Sequence, residues 1–110
     1  PYPMTFPQVP AGLAAALSER GYTALTPVQS AVLEPEAMGR DLVVSAQTGS
    51  GKTVAFGLAF AEQLLDADGR MPRAAAPLAL VIAPTRELAL QVARELDWLY
   101  RQAGARIATC

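Results

Sequence analysis

Residues 41–53 read Asp-Leu-Val-Val-Ser-Ala-Gln-Thr-Gly-Ser-Gly-Lys-Thr: an apolar run, a glycine-rich turn, then Lys-Thr opening a helix. A chain with this segment must feed a strand into a helix through a tight loop. Gly49 and Gly51 allow backbone conformations closed to other residues and a close approach to a ligand. Loop amides then converge on an anion, and the helix N-terminus adds positive potential. Lys52 is placed to reach the β- and γ-phosphates of a nucleotide, and the Thr53 hydroxyl to ligate Mg²⁺. The general phosphate-loop pattern has Gly at its first position, where this chain has Ala46. The G-x-G-K-T core is intact. A plain turn with a solvated Lys52 is the competing reading, but it gives no reason for Lys-Thr at this one place.

The rest of the chain reads as alternating strands and helices. Four prolines among residues 1–10 predict an extended or irregular start. Leu13, Ala16 and Leu17 repeat at helical spacing, with Gly21 closing that helix. Thr26-Pro27 predicts a second helix start, Thr26 as N-cap and Pro27 at the first helical position. That helix is expected to run toward Met38 despite Pro35. After a strand at about 41–45, the helix from Lys52 to about Asp66 carries Phe56, Phe60 and Leu64 on one face. Residues 67–77 hold Gly69, Pro72, Pro77 and two arginines, and predict an exposed, mobile connector. Leu78-Ala79-Leu80-Val81-Ile82-Ala83 is continuously apolar, as in a strand covered on both faces of a parallel sheet. Pro84-Thr85 starts a helix over about Arg86–Gln102, with Leu88, Val92, Leu96 and Leu99 as its buried stripe and Gly104 ending it. Residues 106–110 read as the start of a third strand. The alternation predicts an α/β fold: a parallel sheet with right-handed crossovers.

Bulk properties narrow the class. The 110 residues allow one small domain, and 52% apolar content suits a packed core rather than disorder. The formal net charge of −1 makes no global electrostatic case for nucleic acid. Cys110 is the single cysteine, so there is no disulfide framework or zinc spacing, and a reducing, cytoplasmic compartment is expected. The lack of histidine excludes imidazole catalysis by this chain. No apolar run approaches the roughly 20 residues of a membrane span. The start, Pro1-Tyr2-Pro3, has neither an initiator methionine nor a signal-peptide pattern, and predicts a processed or partial chain.

Two further segments carry chemistry. In Gly21-Tyr22-Thr23-Ala24-Leu25-Thr26-Pro27-Val28-Gln29, the Gln29 amide presents a donor and an acceptor side by side. That pair matches adenine N6-H₂ and N7 and mismatches guanine, which shows two acceptors on the same edge. Taken alone, Gln29 is more simply a solvated residue on a helix, and Tyr22 either packs on a base or fills the core. Pro84-Thr85-Arg86-Glu87-Leu88-Ala89 sits at a strand C-terminus, where ligands of open α/β sheets bind. Thr85 as N-cap and Arg86 offer a second anion site. Ordinary capping, with Glu87 complementing the helix dipole, explains the same residues.

The three segments together resemble the DEAD-box ATP-dependent RNA helicases. They stand as that family's Q motif, motif I and motif Ia, in order, over about Phe6 to Cys110, and Ala46 fits the family's own form of the loop. The resemblance implies a RecA-like P-loop NTPase fold, here the first half of the first RecA-like domain. It implies that Gln29 contacts adenine, with Thr26 and Tyr22 in the same segment and Phe6 as candidate for a stacking aromatic. It implies that Thr48, Gly49, Ser50, Gly51, Lys52 and Thr53 hold the phosphates of ATP or ADP and Mg²⁺. Lys52 and Thr53 would serve catalysis, and Pro84, Thr85 and Arg86 would contact single-stranded RNA backbone. The Asp-Glu-Ala-Asp tetrad and the second RecA-like domain that phosphoryl transfer requires are not in the sequence. The expected function is therefore that of an N-terminal helicase fragment, not competent for turnover alone. A different P-loop enzyme such as a small-molecule kinase, or an inactive nucleotide-binding fragment, are the alternatives. An unfinished sheet also predicts association between copies.

Overall fold

The computed structural model describes residues 9–37, 39–44 and 51–110. Phe6, Met38, Thr48, Gly49 and Ser50 lie outside the described residues. Among the described residues there are five α-helices: α1 (Ala11–Glu19), α2 (Pro27–Val32), α3 (Lys52–Ala59), α4 (Ala61–Leu64) and α5 (Arg86–Tyr100). Short 3₁₀ turns follow α2 at Pro35–Ala37 and α5 at Arg101–Ala103.

Helix ends follow local chemistry. Gly21, at φ +86°, closes α1: Tyr22 N–H donates to the Leu17 carbonyl and Gly21 N–H to that of Ser18. This is the Schellman pairing, which needs a left-handed residue after the helix. Gly104, at φ +84°, ends the Arg101–Ala103 turn the same way, through Ala105 to Tyr100 and Gly104 to Arg101. α2 stops at Val32, well short of Met38. Pro35 has no N–H to continue the ladder and disfavours helical backbone at Glu34, so the chain tightens into the 3₁₀ turn.

The core lies where the helices meet. Leu13 and Leu17 of α1, Val32 and Leu33, Val54, Ala55 and Leu58 of α3, and Leu99 and Tyr100 of α5 form one buried cluster. α3 lies against α2 and α5, and α5 against α1. α3 buries Val54, Ala55, Gly57 and Leu58, Phe60 is half-buried, and Phe56 is 45% exposed, so the side of the helix at Phe56 is the one left open. Gly57 accounts for this. A Cβ there would meet Leu99 Cδ2 at 2.6 Å and Leu96 Cδ2 at 3.0 Å, so this small face is the one that admits α5. On α5, Leu96, Leu99 and Tyr100 are buried and Leu88 is exposed.

No β-ladder forms among the described residues. The three runs read as strands, 41–45, 78–83 and 106–110, lack partners there; Leu80 and Ile82 are 82% and 84% exposed. A strand is held by hydrogen bonds to a neighbour, so apolar composition alone cannot form one.

Candidate nucleotide site

α2 begins on a reciprocal cap. Gln29 N–H donates to Thr26 Oγ1 at 3.4 Å, and Thr26 N–H donates to Gln29 Oε1 at 3.0 Å. This capping box satisfies two backbone donors that a helix start leaves without partners. Pro27 at the first helical position supplies a preset φ. The Thr-Pro-Val-Gln spacing carries the box signal, Thr followed three residues later by Gln. Thr26 is thus the N-cap the sequence predicts, and Gln29 adds the second half of the box.

Gln29 also reaches across the fold. Its Nε2 donates to the Gly51 carbonyl at 3.3 Å, and its side chain is 0% exposed. The amide orientation is fixed by these bonds. A backbone N–H can only donate and a carbonyl can only accept, so Oε1 must face Thr26 and Nε2 must face Gly51. Among the described residues, one amide N–H and one lone pair of Gln29 have no partner.

Gly51 is the N-cap of α3 at φ +84°, ψ 30°. A side chain is excluded there twice over. The left-handed backbone disfavours any L-residue, and a Cβ would run into Gln29 Nε2. Lys52 and Thr53, both half-buried, open α3 immediately after. Their amides belong to the first turn, where helix N–H groups lack intrahelical partners and the dipole favours an anion. Glycine geometry, unpartnered amides, a lysine and a hydroxyl thus converge at one point, which fits a polyphosphate. No group of three or more His, Cys, Asp or Glu suited to a metal occurs among the described residues.

The third segment stands separately. Thr85, at φ −133°, caps α5 by accepting from Leu88 N–H at 3.1 Å. Pro84, Thr85 and Arg86 are exposed. Among the described residues the one ion pair joins Arg101 to Asp97, leaving Arg86 without a carboxylate.

Tyr22, the aromatic of the Gly21–Gln29 segment, packs toward α5. It is half-buried, with its ring 6.1 Å from that of Trp98, and the Arg20 guanidinium lies 4.8 Å over the Trp98 indole. This cluster joins the end of α1 to α5. Sequence periodicity could not find it, because its members lie more than 70 residues apart.

A family model described as DEAD/DEAH box helicase matches residues 26–110, the span holding both Gln29 and the Lys52–Thr53 pair. The chain belongs to the DEAD/DEAH box helicase family. DEAD-box ATP-dependent RNA helicase 3B, chloroplastic, of Zea mays is 51% identical over 90 residues, covering 80% of this chain and 12% of the relative. DEAD-box ATP-dependent RNA helicase 9, mitochondrial, of Arabidopsis thaliana is 48% identical over 80 residues, covering 73% and 13%. The chain thus spans about an eighth of these relatives' length. Among solved structures, the RNA-helicase Prp28 from Chaetomium thermophilum bound to ADP matches with a TM-score of 0.80 and 31% identity. That match covers 100% of this chain and 27% of the other. The helices described above therefore sit as they do in a helicase of this family. No helix among the described residues is long and apolar enough to cross a membrane.

Proposed function

We propose that this chain provides the adenine- and phosphate-binding part, and one RNA-contact segment, of an ATP-dependent RNA helicase. The observation that carries the reading is the Gln29 bond to Gly51, which ties the Gly21–Gln29 segment to the residue that opens the Lys52–Thr53 helix. In a small-molecule kinase nothing calls for that segment, and family membership favours the helicase.

Each residue then has a task. Gly51 brings the backbone close to phosphate, with Thr48, Gly49 and Ser50 completing the loop. Lys52 offsets charge on the β- and γ-phosphates, and the Thr53 hydroxyl is the ligand available to Mg²⁺. When bound, ATP supplies a phosphoanhydride bond whose cleavage releases the RNA grip. Gln29, with its amide fixed by Thr26 and Gly51, has one N–H and one lone pair left, the pair that adenine matches. Because Gln29 is buried, base contact requires its cover to move. Phe6 is the candidate stacking aromatic, with Tyr22 and Thr26 shaping the same segment. Pro84, Thr85 and Arg86 meet single-stranded RNA through its phosphates, which positions the strand without reading sequence. A second RecA-like domain in the whole protein, closing over the α3 and α5 N-termini, completes the RecA-like P-loop NTPase. This chain alone binds without turnover, since it has no Asp-Glu-Ala-Asp tetrad. A cytoplasmic site rests on cysteine usage alone, and the relatives named chloroplastic and mitochondrial make organelles the direct comparison.

Calorimetry with ADP and GDP on the full-length protein, alongside ATPase assays of Lys52→Ala, tests the reading. ADP is expected to bind and GDP to bind far more weakly, and Lys52→Ala to abolish turnover with little change in melting temperature. Equal affinities, or a retained rate in a destabilised Lys52→Ala, would overturn it.

A further inference from the structure

The residues from Lys52 to Leu64 read as one helix, yet the helix is interrupted at Phe60. In an unbroken helix the Gly57 carbonyl would accept from the Ala61 N–H, four residues on. Here it accepts the Tyr100 hydroxyl of α5 at 2.5 Å, across 43 residues of chain. The chain beyond the interruption restarts on Phe60, whose carbonyl accepts from Gln63 and Leu64 N–H at 3.2 Å each.

The contact is tightly built. Tyr100 is buried, and its ring lies 5.9 Å from that of Phe60. Gly57 has no side chain, so the α3 backbone meets Leu96, Leu99 and Tyr100 directly. Burial pushes the Tyr100 phenol well above the ordinary tyrosine range, so its hydroxyl remains a donor at neutral pH. The Gly57 carbonyl thus takes its bond from Tyr100 on α5 and not from Ala61 in its own chain, which ties the interrupted turn to α5.

We propose that Tyr100 is a positioning residue for the phosphate end of α3: its bond to Gly57 holds the interruption at Phe60 and so sets where Lys52 and Thr53 stand against α5. The proposal rests on the reading of Lys52–Thr53 as a phosphate site. Gly57 lies about 7.5 Å along the helix from Lys52 at 1.5 Å per residue. A shift of the Gly57 turn is thus passed to the binding end of a short, rigid helix. Binding constellations tolerate displacements of only about 0.5 Å.

The test compares Tyr100→Phe with Leu13→Val in the full-length protein. Leu13→Val trims the core on α1 and serves as a control for general loss of stability. ADP affinity is measured by calorimetry, and amide hydrogen exchange is followed across residues 52–58. Tyr100→Phe is expected to weaken ADP binding about three- to ten-fold and to speed exchange at 52–58 by about ten-fold. Leu13→Val is expected to stay within about two-fold of wild type in both. Wild type that binds ADP, with Tyr100→Phe behaving like Leu13→Val, overturns the positioning role and leaves the phosphate reading standing. Wild type that binds no ADP overturns the phosphate reading, and the positioning role with it.

Discussion

Gln29 concentrates more structural consequence than any other polar residue described. Its amide closes the cap of α2 and binds the Gly51 carbonyl from a fully buried position. Replacing Nε2 alone separates these duties. Gln29→Glu keeps an oxygen for Thr26 N–H but sets a second oxygen against the Gly51 carbonyl. The charged form is expected to destabilise the fold by about 1–3 kcal/mol, the cost of a buried group left without its bond. The neutral carboxylic acid can donate to Gly51, so the deficit should shrink as pH falls and the buried carboxyl protonates. Melting curves of Gln29→Glu against wild type at pH 5 and pH 8 check this; an equal deficit at both would mean that the Gly51 bond contributes nothing. Arg86 poses the opposite case, exposed and without a carboxylate partner. In the full-length protein, Arg86→Ala should weaken RNA binding evenly across sequences. It should also flatten the log–log salt dependence by about 0.7, the single-strand value for one phosphate contact. An unchanged slope would leave Arg86 with capping duties only.

At the scale of elements, the α3–α5 contact makes stability depend on alkaline pH. Tyr100 holds its proton in the fold above the ordinary value of 10.0, because burial disfavours the phenolate. The unfolded chain releases that proton as pH passes about 10, while the folded chain keeps it. Unfolding is then favoured as pH rises, by at most about 1.4 kcal/mol per pH unit for one proton. Below pH 10 the contribution is fully present. Tyr100→Phe should lose this slope, so wild type and variant melting temperatures should converge between pH 10 and 11.5; a constant gap would contradict the buried-phenol account. This contact also marks the boundary of what the sequence reveals. Thr26-Pro27, Gly21 and Gly104 were legible as helix starts and stops because capping and left-handed turns are decided within five residues. The interruption at Phe60 was not, since the group that sustains it lies 40 residues away on α5. Periodicity puts apolar residues on most sides of this helix, and the side that meets α5 is decided by the close approach at Gly57, which is a tertiary fact. The glycine-rich turn and the Gln29 segment are legible as motifs, while the bond from Gln29 to Gly51 is a tertiary fact with no local signal.

At the scale of the whole molecule, the helices pack and the apolar run at 78–83 does not. The buried cluster lies wholly among α1, α2, α3, α4, α5 and their flanks, whereas Leu78–Ala83 carries apolar side chains into solvent. Helices satisfy their backbone groups internally, so side-chain packing is enough to place them. Strands need a neighbour, and an unpaired apolar run is a template for another chain. Contiguous exposed apolar surface likewise marks a place of contact. The 110-residue chain in isolation is therefore expected to associate as its concentration rises. Leu80 and Ile82, two residues apart and each more than 80% exposed, are the positions at which to interrupt this. A charge at each should suppress pairing, while exposed substitutions alter folding stability by only about 0.5 kcal/mol. Light scattering of wild type against Leu80→Lys/Ile82→Lys, with melts of both at low concentration, measures the two effects separately. Larger particles in the wild type alone, with matching melts, are the expected outcome. A wild type that stays monodisperse and monomeric at every concentration, with a cooperative melt, would show that the helical cluster closes without a partner for residues 78–83.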